Sequence, residues 1–135
     1  MPPRFLDTNV LLRYLTRDDE EKAQRALALL TRVERGEEKL VTSAMVIFET
    51  VFTLQHTYKV PRERIRASMG DIIAFPGLSL PDKRLYLRAL ELYATTRLSF
   101  ADAYNAAFMQ EEGISEIFSW DTDFDRLPGI TRQEP

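Results

Sequence analysis

Arg4-Phe5-Leu6-Asp7-Thr8-Asn9-Val10-Leu11-Leu12-Arg13-Tyr14-Leu15 is the stretch on which the fold turns. Arg4-Phe5-Leu6 is a short apolar run halted by an aspartate, as expected of a buried first strand. Val10, Leu11, Tyr14 and Leu15 then recur at helical spacing. A strand that passes into a helix through Asp7-Thr8-Asn9 opens an α/β unit, and the rest of the chain keeps the same alternation.

Working outward, Asp18 and Asp19 are candidate caps of a longer helix. Glu20 and Glu21 fall in its first turn, where the macrodipole favours anions. Its apolar stripe runs Ala23, Ala26, Leu27, Leu30 and Val33, and it should end near Gly36. Lys39-Leu40-Val41-Thr42 reads as a second strand, and Ser43 as the N-cap of a helix reaching about Tyr58. Pro61 suits the first position of the next helix, which stops before Pro76-Gly77. Leu78-Ser79-Leu80 reads as a third strand. A helix follows from Asp82, and another from Ser99–Asp102 to about Gly113. Glu116-Ile117-Phe118-Ser119 reads as a fourth strand and Gly129-Ile130-Thr131 as a short fifth. Strands alternating with helices predict a mostly parallel sheet covered on both faces, in one continuous domain over residues 1–135. In such sheets chemistry gathers at the carboxyl ends of the strands. Asp7 lies just past the first strand and Asp121 just past the fourth.

Composition narrows the chemistry. A chain of 135 residues with no cysteine cannot use a disulfide framework, a thiolate zinc site or a thiol nucleophile. A single histidine, His56, removes His-pair metal sites and disfavours a Ser-His-Asp triad. Met1-Pro2-Pro3-Arg4-Phe5 has no apolar leader, and no apolar run approaches the ~20 residues of a membrane helix, so a cytoplasmic protein without membrane spans is expected. The net charge of −3 speaks weakly against a passive nucleic-acid binder. Yet if Asp7, Glu49, Asp102, Asp121 and Asp123 line one pocket, removing those five charges leaves a remainder of +2.

Each of these acids also has a plain structural role open to it. Asp7 could form an Asx-turn or cap the following helix. Glu49 falls at the edge of a second apolar band (Met45, Phe48, Phe52), beside the main face of Ala44, Ile47, Val51, Leu54 and Tyr58. A salt bridge to an arginine would explain it there. Asp102 could sit in a first helical turn for dipole reasons alone, although the small residues Ala101, Ala103, Ala106 and Ala107 let that helix approach a sheet closely. Asp121, Asp123 and Asp125 alternate after a strand and could be solvated. They lack the glycine and terminal glutamate of a calcium loop. Jointly the pattern says more. Carboxylates gathered without basic partners repel, and a hard divalent cation removes the conflict. Oxygen-only ligands favour Mg²⁺ or Mn²⁺ over zinc. Such an ion activates water and stabilises charge on phosphorus, so phosphodiester hydrolysis is the natural chemistry.

The segments Phe5-Leu6-Asp7-Thr8-Asn9-Val10-Leu11-Leu12, Phe48-Glu49, Ala101-Asp102-Ala103 with Ala106-Ala107, and Ser119-Trp120-Asp121-Thr122-Asp123-Phe124 together resemble the PIN domain over essentially the whole chain. Within it the chain most resembles the VapC toxin ribonucleases of bacterial toxin–antitoxin pairs. The resemblance implies a three-layer α/β/α sandwich and a Mg²⁺- or Mn²⁺-dependent endoribonuclease. It also implies a homodimer and a cognate antitoxin. By position Asp7, Glu49, Asp102 and Asp121 match the family's acidic residues, and Thr8, Asn9 and Ser119 its supporting polar ones. Asp7, Asp102, Asp121 and Asp123 are then the expected metal ligands, and Glu49 the residue that orients or deprotonates the attacking water. In-line attack would leave a 3′-hydroxyl and a 5′-phosphate. The family often has threonine at Ser119 and a small or polar residue at Trp120, so the departure at Trp120 bears on substrate contacts.

Arg13, Arg17 and the arginines of Arg62-Glu63-Arg64-Ile65-Arg66 read either as phosphate contacts or as a solvated face. A receiver or dehalogenase-type phosphatase also places an aspartate after its first strand but needs a late lysine, and the last lysine here is Lys83. The alternative to an enzyme is a non-catalytic PIN-fold module that binds RNA or protein.

Overall fold

The computed structural model describes residues 2–135, in two compact units, Met1–Lys83 and Arg84–Pro135. The first contains β1 (Arg4–Phe5), α1 (Thr8–Thr16), α2 (Glu20–Glu34), β2 (Leu40–Val41), α3 (Ala44–His56), α4 (Arg62–Ile73) and β3 (Leu78–Ser79). Its strands form a parallel ladder in the order β1-β2-β3, with Arg4 and Phe5 opposite Leu40 and Val41, and those two opposite Leu78 and Ser79. The crossovers are helix pairs, as parallel pairing requires. The first strand departs from expectation. Only Leu6 is buried; Phe5 is 56 % exposed, because β1 is the edge of this three-stranded ladder.

Helix boundaries follow local chemistry. Asp19, rather than Asp18, caps α2 by accepting from the Lys22 amide at 3.1 Å, while Asp18 takes Arg13 at 2.9 Å and the Tyr58 hydroxyl at 2.7 Å. Ser43 caps α3 as expected, accepting from the Val46 amide. Pro61 is the residue before α4, not its first member. Gly77 occupies a place where no side chain fits. A Cβ there would lie 2.2 Å from the Glu38 carbonyl oxygen and 2.6 Å from that of Val33. Its amide donates to the Val33 carbonyl at 3.0 Å and its own carbonyl accepts from Leu40 at 2.8 Å. The end of α2 is thereby tied to β3 and β2.

The second unit holds the rest of α5 (Lys83–Thr95), then α6 (Phe100–Glu112), β4 (Glu116–Phe118), a 3-10 turn (Thr122–Arg126) and β5 (Thr131–Gln133). The helix expected from Asp82 starts one residue later, since Asp82 itself has a left-handed φ of 60°. Ser99 caps α6, and Gly113 ends it in the left-handed region at φ 70°. The fifth strand lies two residues beyond Gly129-Ile130-Thr131, because Ile130 is buried after the 3-10 turn and the ladder begins only at Thr131. It runs parallel to β4, with Glu116, Ile117 and Phe118 opposite Thr131, Arg132 and Gln133. Tyr93 and Phe100 meet edge to face at 5.9 Å, which helps to fix the α5–α6 connection. Among the described residues no helix is long and apolar enough to cross a membrane.

Candidate active site

In the first unit, Asp7 sits between β1 and α1 in extended conformation and caps α1, its Oδ1 accepting from the Thr8 amide at 2.8 Å. Thr8 points inward and is buried, and its hydroxyl has no hydrogen-bond partner among the described residues. An orphaned hydroxyl of this kind is uncommon and marks a place where a water or ion is wanted. Asn9 follows on the outer side of α1. Thr42, at the end of β2, donates its hydroxyl to the Leu6 carbonyl at 2.9 Å and fixes the backbone that presents Asp7.

Glu49 stands on the exposed side of α3. The second apolar band found there is real and open to solvent: Met45 is 77 % and Phe52 63 % exposed, and Phe52 packs against His56 at 4.3 Å between ring centres. An arginine bridge does not account for Glu49, which makes no ion pair among the described residues.

The second unit gathers its acids more closely. Asp102 is half-buried in the first turn of α6, its amide donating to the Ser99 hydroxyl at 3.1 Å. Burial pushes its carboxyl above the ordinary range, and the adjacent Asp121 carboxylate, hydrogen-bonded to it, pushes further. The Ser99 hydroxyl pulls it back in part, and Asp123 adds a smaller upward push. No cation neutralises the pair. Asp121 itself caps the 3-10 turn, its Oδ1 accepting from the Asp123 amide at 2.9 Å, while its own amide donates to Ser119 Oγ at 3.0 Å. Ser119 is held in turn, through its amide to Gln133 at 3.0 Å and through its carbonyl to Arg132 at 3.0 Å. The alternating aspartates therefore divide. Asp121 and Asp123 act on Asp102, while Asp125 turns away to a two-pronged contact with Arg132 at 2.9 and 3.2 Å.

Among the described residues no three or more His, Asp or Glu side chains stand close enough together to hold a metal ion. What does suit a hard divalent cation is the donor chemistry: facing carboxylates without a base, and a buried unpartnered hydroxyl beside Asp7. Each would be relieved by an oxygen-seeking ion and its waters.

Two features lie outside the acidic pattern. A cleft of about 520 Å³ between α1 and α2 is lined by Asn9, Arg13, Lys22, Arg25 and Arg32 over a floor of Val10, Ala26 and Leu29. The helical spacing of Lys22, Arg25 and Arg32 on α2 was the available signal for it. Elsewhere the basic residues are held by neighbours: Arg17 bonds Glu20 and Arg66 bonds Glu63, the solvated face that the run allowed. The second feature is a pair of exposed aromatic side chains, Phe118 and Trp120, leading into Asp121.

Comparison with known proteins completes the site. The PIN domain family matches residues 4–130, and this chain belongs to that family. With it goes the fold class expected from the sequence, a three-layer α/β/α arrangement with parallel strands. A protein named VapC ribonuclease from Aquifex aeolicus is 30 % identical across 92 % of this chain and 91 % of its own. Ribonuclease VapC13 from Mycobacterium tuberculosis is 33 % identical across 95 % of this chain and 97 % of its own.

Proposed function

We propose that this chain is an endoribonuclease dependent on Mg²⁺ or Mn²⁺, the toxin of a toxin–antitoxin pair acting in the cytoplasm, folded as a single PIN domain over residues 1–135. The observation that carries the proposal is the Asp102–Asp121 carboxylate pair, half-buried and without a neutralising base. The names of the VapC relatives support the ribonuclease assignment.

Asp7, Asp102, Asp121 and Asp123 are assigned to the metal, and Glu49 to orienting or deprotonating the attacking water. When bound, the cation supplies Lewis-acid activation of water and stabilises charge on the phosphate. The chain's own parts set the positions. Ser119 holds the Asp121 backbone, Ser99 anchors the turn that carries Asp102, and Thr42 holds the strand end at Asp7. Asn9 and Thr8 complete the polar surroundings. The exposed band of Met45 and Phe52 on α3 is assigned to a homodimer contact, and a cognate antitoxin is the expected inhibitor.

The test is RNA cleavage by purified protein with Mg²⁺ or Mn²⁺, with chelator, and after Asp102→Asn. Cleavage should require the metal and fall by at least 100-fold in the variant, on the order of the loss when one group that steadies transition-state charge is removed. Cleavage undiminished by chelator or by Asp102→Asn refutes the assignment and favours a binding module that keeps the fold.

A further inference from the structure

Exposure along the end of β4 alternates. Glu116, Phe118 and Trp120 face solvent, while Ile117 and Ser119 are half-buried. The Ser119 amide still pairs with Gln133, so the extended course continues past the strand and keeps Phe118 and Trp120 on one side of the β4–β5 ribbon. Phe118 is 71 % and Trp120 70 % exposed. A large aromatic side chain left in water at this level is unusual unless something covers it. The next residue after Trp120 is Asp121, whose carboxylate is one of the facing pair.

Size and surroundings distinguish the possible coverings. Two rings exposed to this extent offer on the order of 300 Å², well short of the roughly 800 Å² per side of a stable protein interface. Their ribbon neighbours are polar as well: Glu116, Thr131 and Gln133 are all exposed. A flat aromatic surface in a polar frame fits another flat ring better than a protein core. Cationic charge for an attached phosphate is close along the chain. Arg97 and Arg126 line a cleft of about 410 Å³ together with Asp123, Thr95 and Thr96.

We infer that Trp120, with Phe118 beside it, is the stacking platform for an unpaired nucleobase of the RNA, next to the bond to be cut. The inference rests on the ribonuclease proposal for the identity of the ligand and adds its class: single-stranded or looped RNA rather than continuous duplex. Ring-on-ring stacking needs an unstacked base and accepts any base, since each has a π-face. Trp120 thereby acts as a substrate-positioning residue. The carboxylates do the chemistry.

Trp120 is the sole tryptophan, so its fluorescence reports on this surface alone. The full chain, kept in chelator so that nothing is cut, is titrated with a short unstructured oligoribonucleotide, its duplex, and an abasic ribose-phosphate oligomer of equal length. The unpaired strand should quench the emission, and the other two should leave it nearly unchanged. Trp120→Ala should weaken binding of the unpaired strand about tenfold or more, with Trp120→Phe recovering most of the affinity. Equal quenching by the abasic oligomer overturns the inference, as does an unweakened Trp120→Ala. A change in sedimentation of Trp120→Ala with RNA binding intact also overturns it, by making the aromatic face a self-assembly surface. A wild-type protein that cleaves RNA without quenching refutes the stacking platform alone. One that quenches with unpaired RNA but never cleaves upholds the platform and refutes the ribonuclease proposal.

Discussion

Replacing Gly77 by alanine should damage this protein more than its modest chemistry suggests. The added Cβ would sit 2.2 Å from the Glu38 carbonyl oxygen, 2.6 Å from the Val33 carbonyl oxygen and 3.1 Å from Val33 Cα. All three are backbone atoms, so no side chain can rotate out of the way. Restoring ordinary contact at 3.4 Å requires a retreat of roughly 1.2 Å in a close-packed region. That retreat strains the Gly77–Val33 and Leu40–Gly77 hydrogen bonds at 3.0 and 2.8 Å, each worth about 1 kcal/mol net. Overpacking adds about 1–3 kcal/mol, and the stiffer unfolded chain returns about 0.4–1 kcal/mol. The net is a loss of about 3 kcal/mol, or roughly 10 °C in melting temperature for a chain of this length. Thermal melts by circular dichroism and urea titration read it directly. Gly113→Ala is the control, because Gly113 has a φ of 70° and nothing within 4 Å of an added Cβ, so it isolates the conformational cost at about 1 kcal/mol. If Gly77→Ala melts with the wild type, or no lower than Gly113→Ala, the close approach of backbone to backbone is not what holds this junction.

Three further outcomes follow from the site and its surroundings. Asp102→Asn should raise the melting temperature of the metal-free protein by roughly 3 °C, about 1 kcal/mol after screening at a half-exposed position, while abolishing stabilisation by Mg²⁺; a variant still stabilised by the ion contradicts this. Because the folded Asp102 carboxyl titrates above its ordinary value of 3.8, the folded chain holds more protons than the unfolded one above that pH. Metal-free stability should therefore fall as pH rises through the elevated value, and flatten in Asp102→Asn. Asp7→Ala should cost about 1 kcal/mol through loss of the α1 cap whereas Asp7→Asn costs little, both losing cleavage; equal melting of the two would show the cap to be idle. Phe52→Asp should shift sedimentation equilibrium toward monomer without lowering the melting temperature of dilute protein, and an unchanged profile removes α3 from the dimer contact.

The sequence was most readable where one residue did one thing. Ser43, Ser99 and Gly113 stood at helix ends because a hydroxyl can satisfy orphan amides and glycine tolerates the left-handed region. The edge position of β1 was hidden, since Phe5 looks like core until its neighbours are known. Ile130 was drawn into the last strand for the same reason, its apolar character serving a buried turn instead of a ladder. The acids were visible as residue types at strand ends and first turns. That Asp121 and Asp123 act on Asp102 while Asp125 serves Arg132 was not visible, because it depends on how the 3-10 turn rotates successive side chains. The basic cleft escaped notice because its members come from two helices.

Asp7 and Asp121 each use a carboxylate oxygen to hold the start of a helical segment. Asparagine holds such a start as well as aspartate does, and a single-base change in the codon converts one into the other. Heritable loss of activity is thus available at both positions without loss of fold. A lineage that needs to silence this protein can keep it intact, still presenting its other surfaces to whatever binds them.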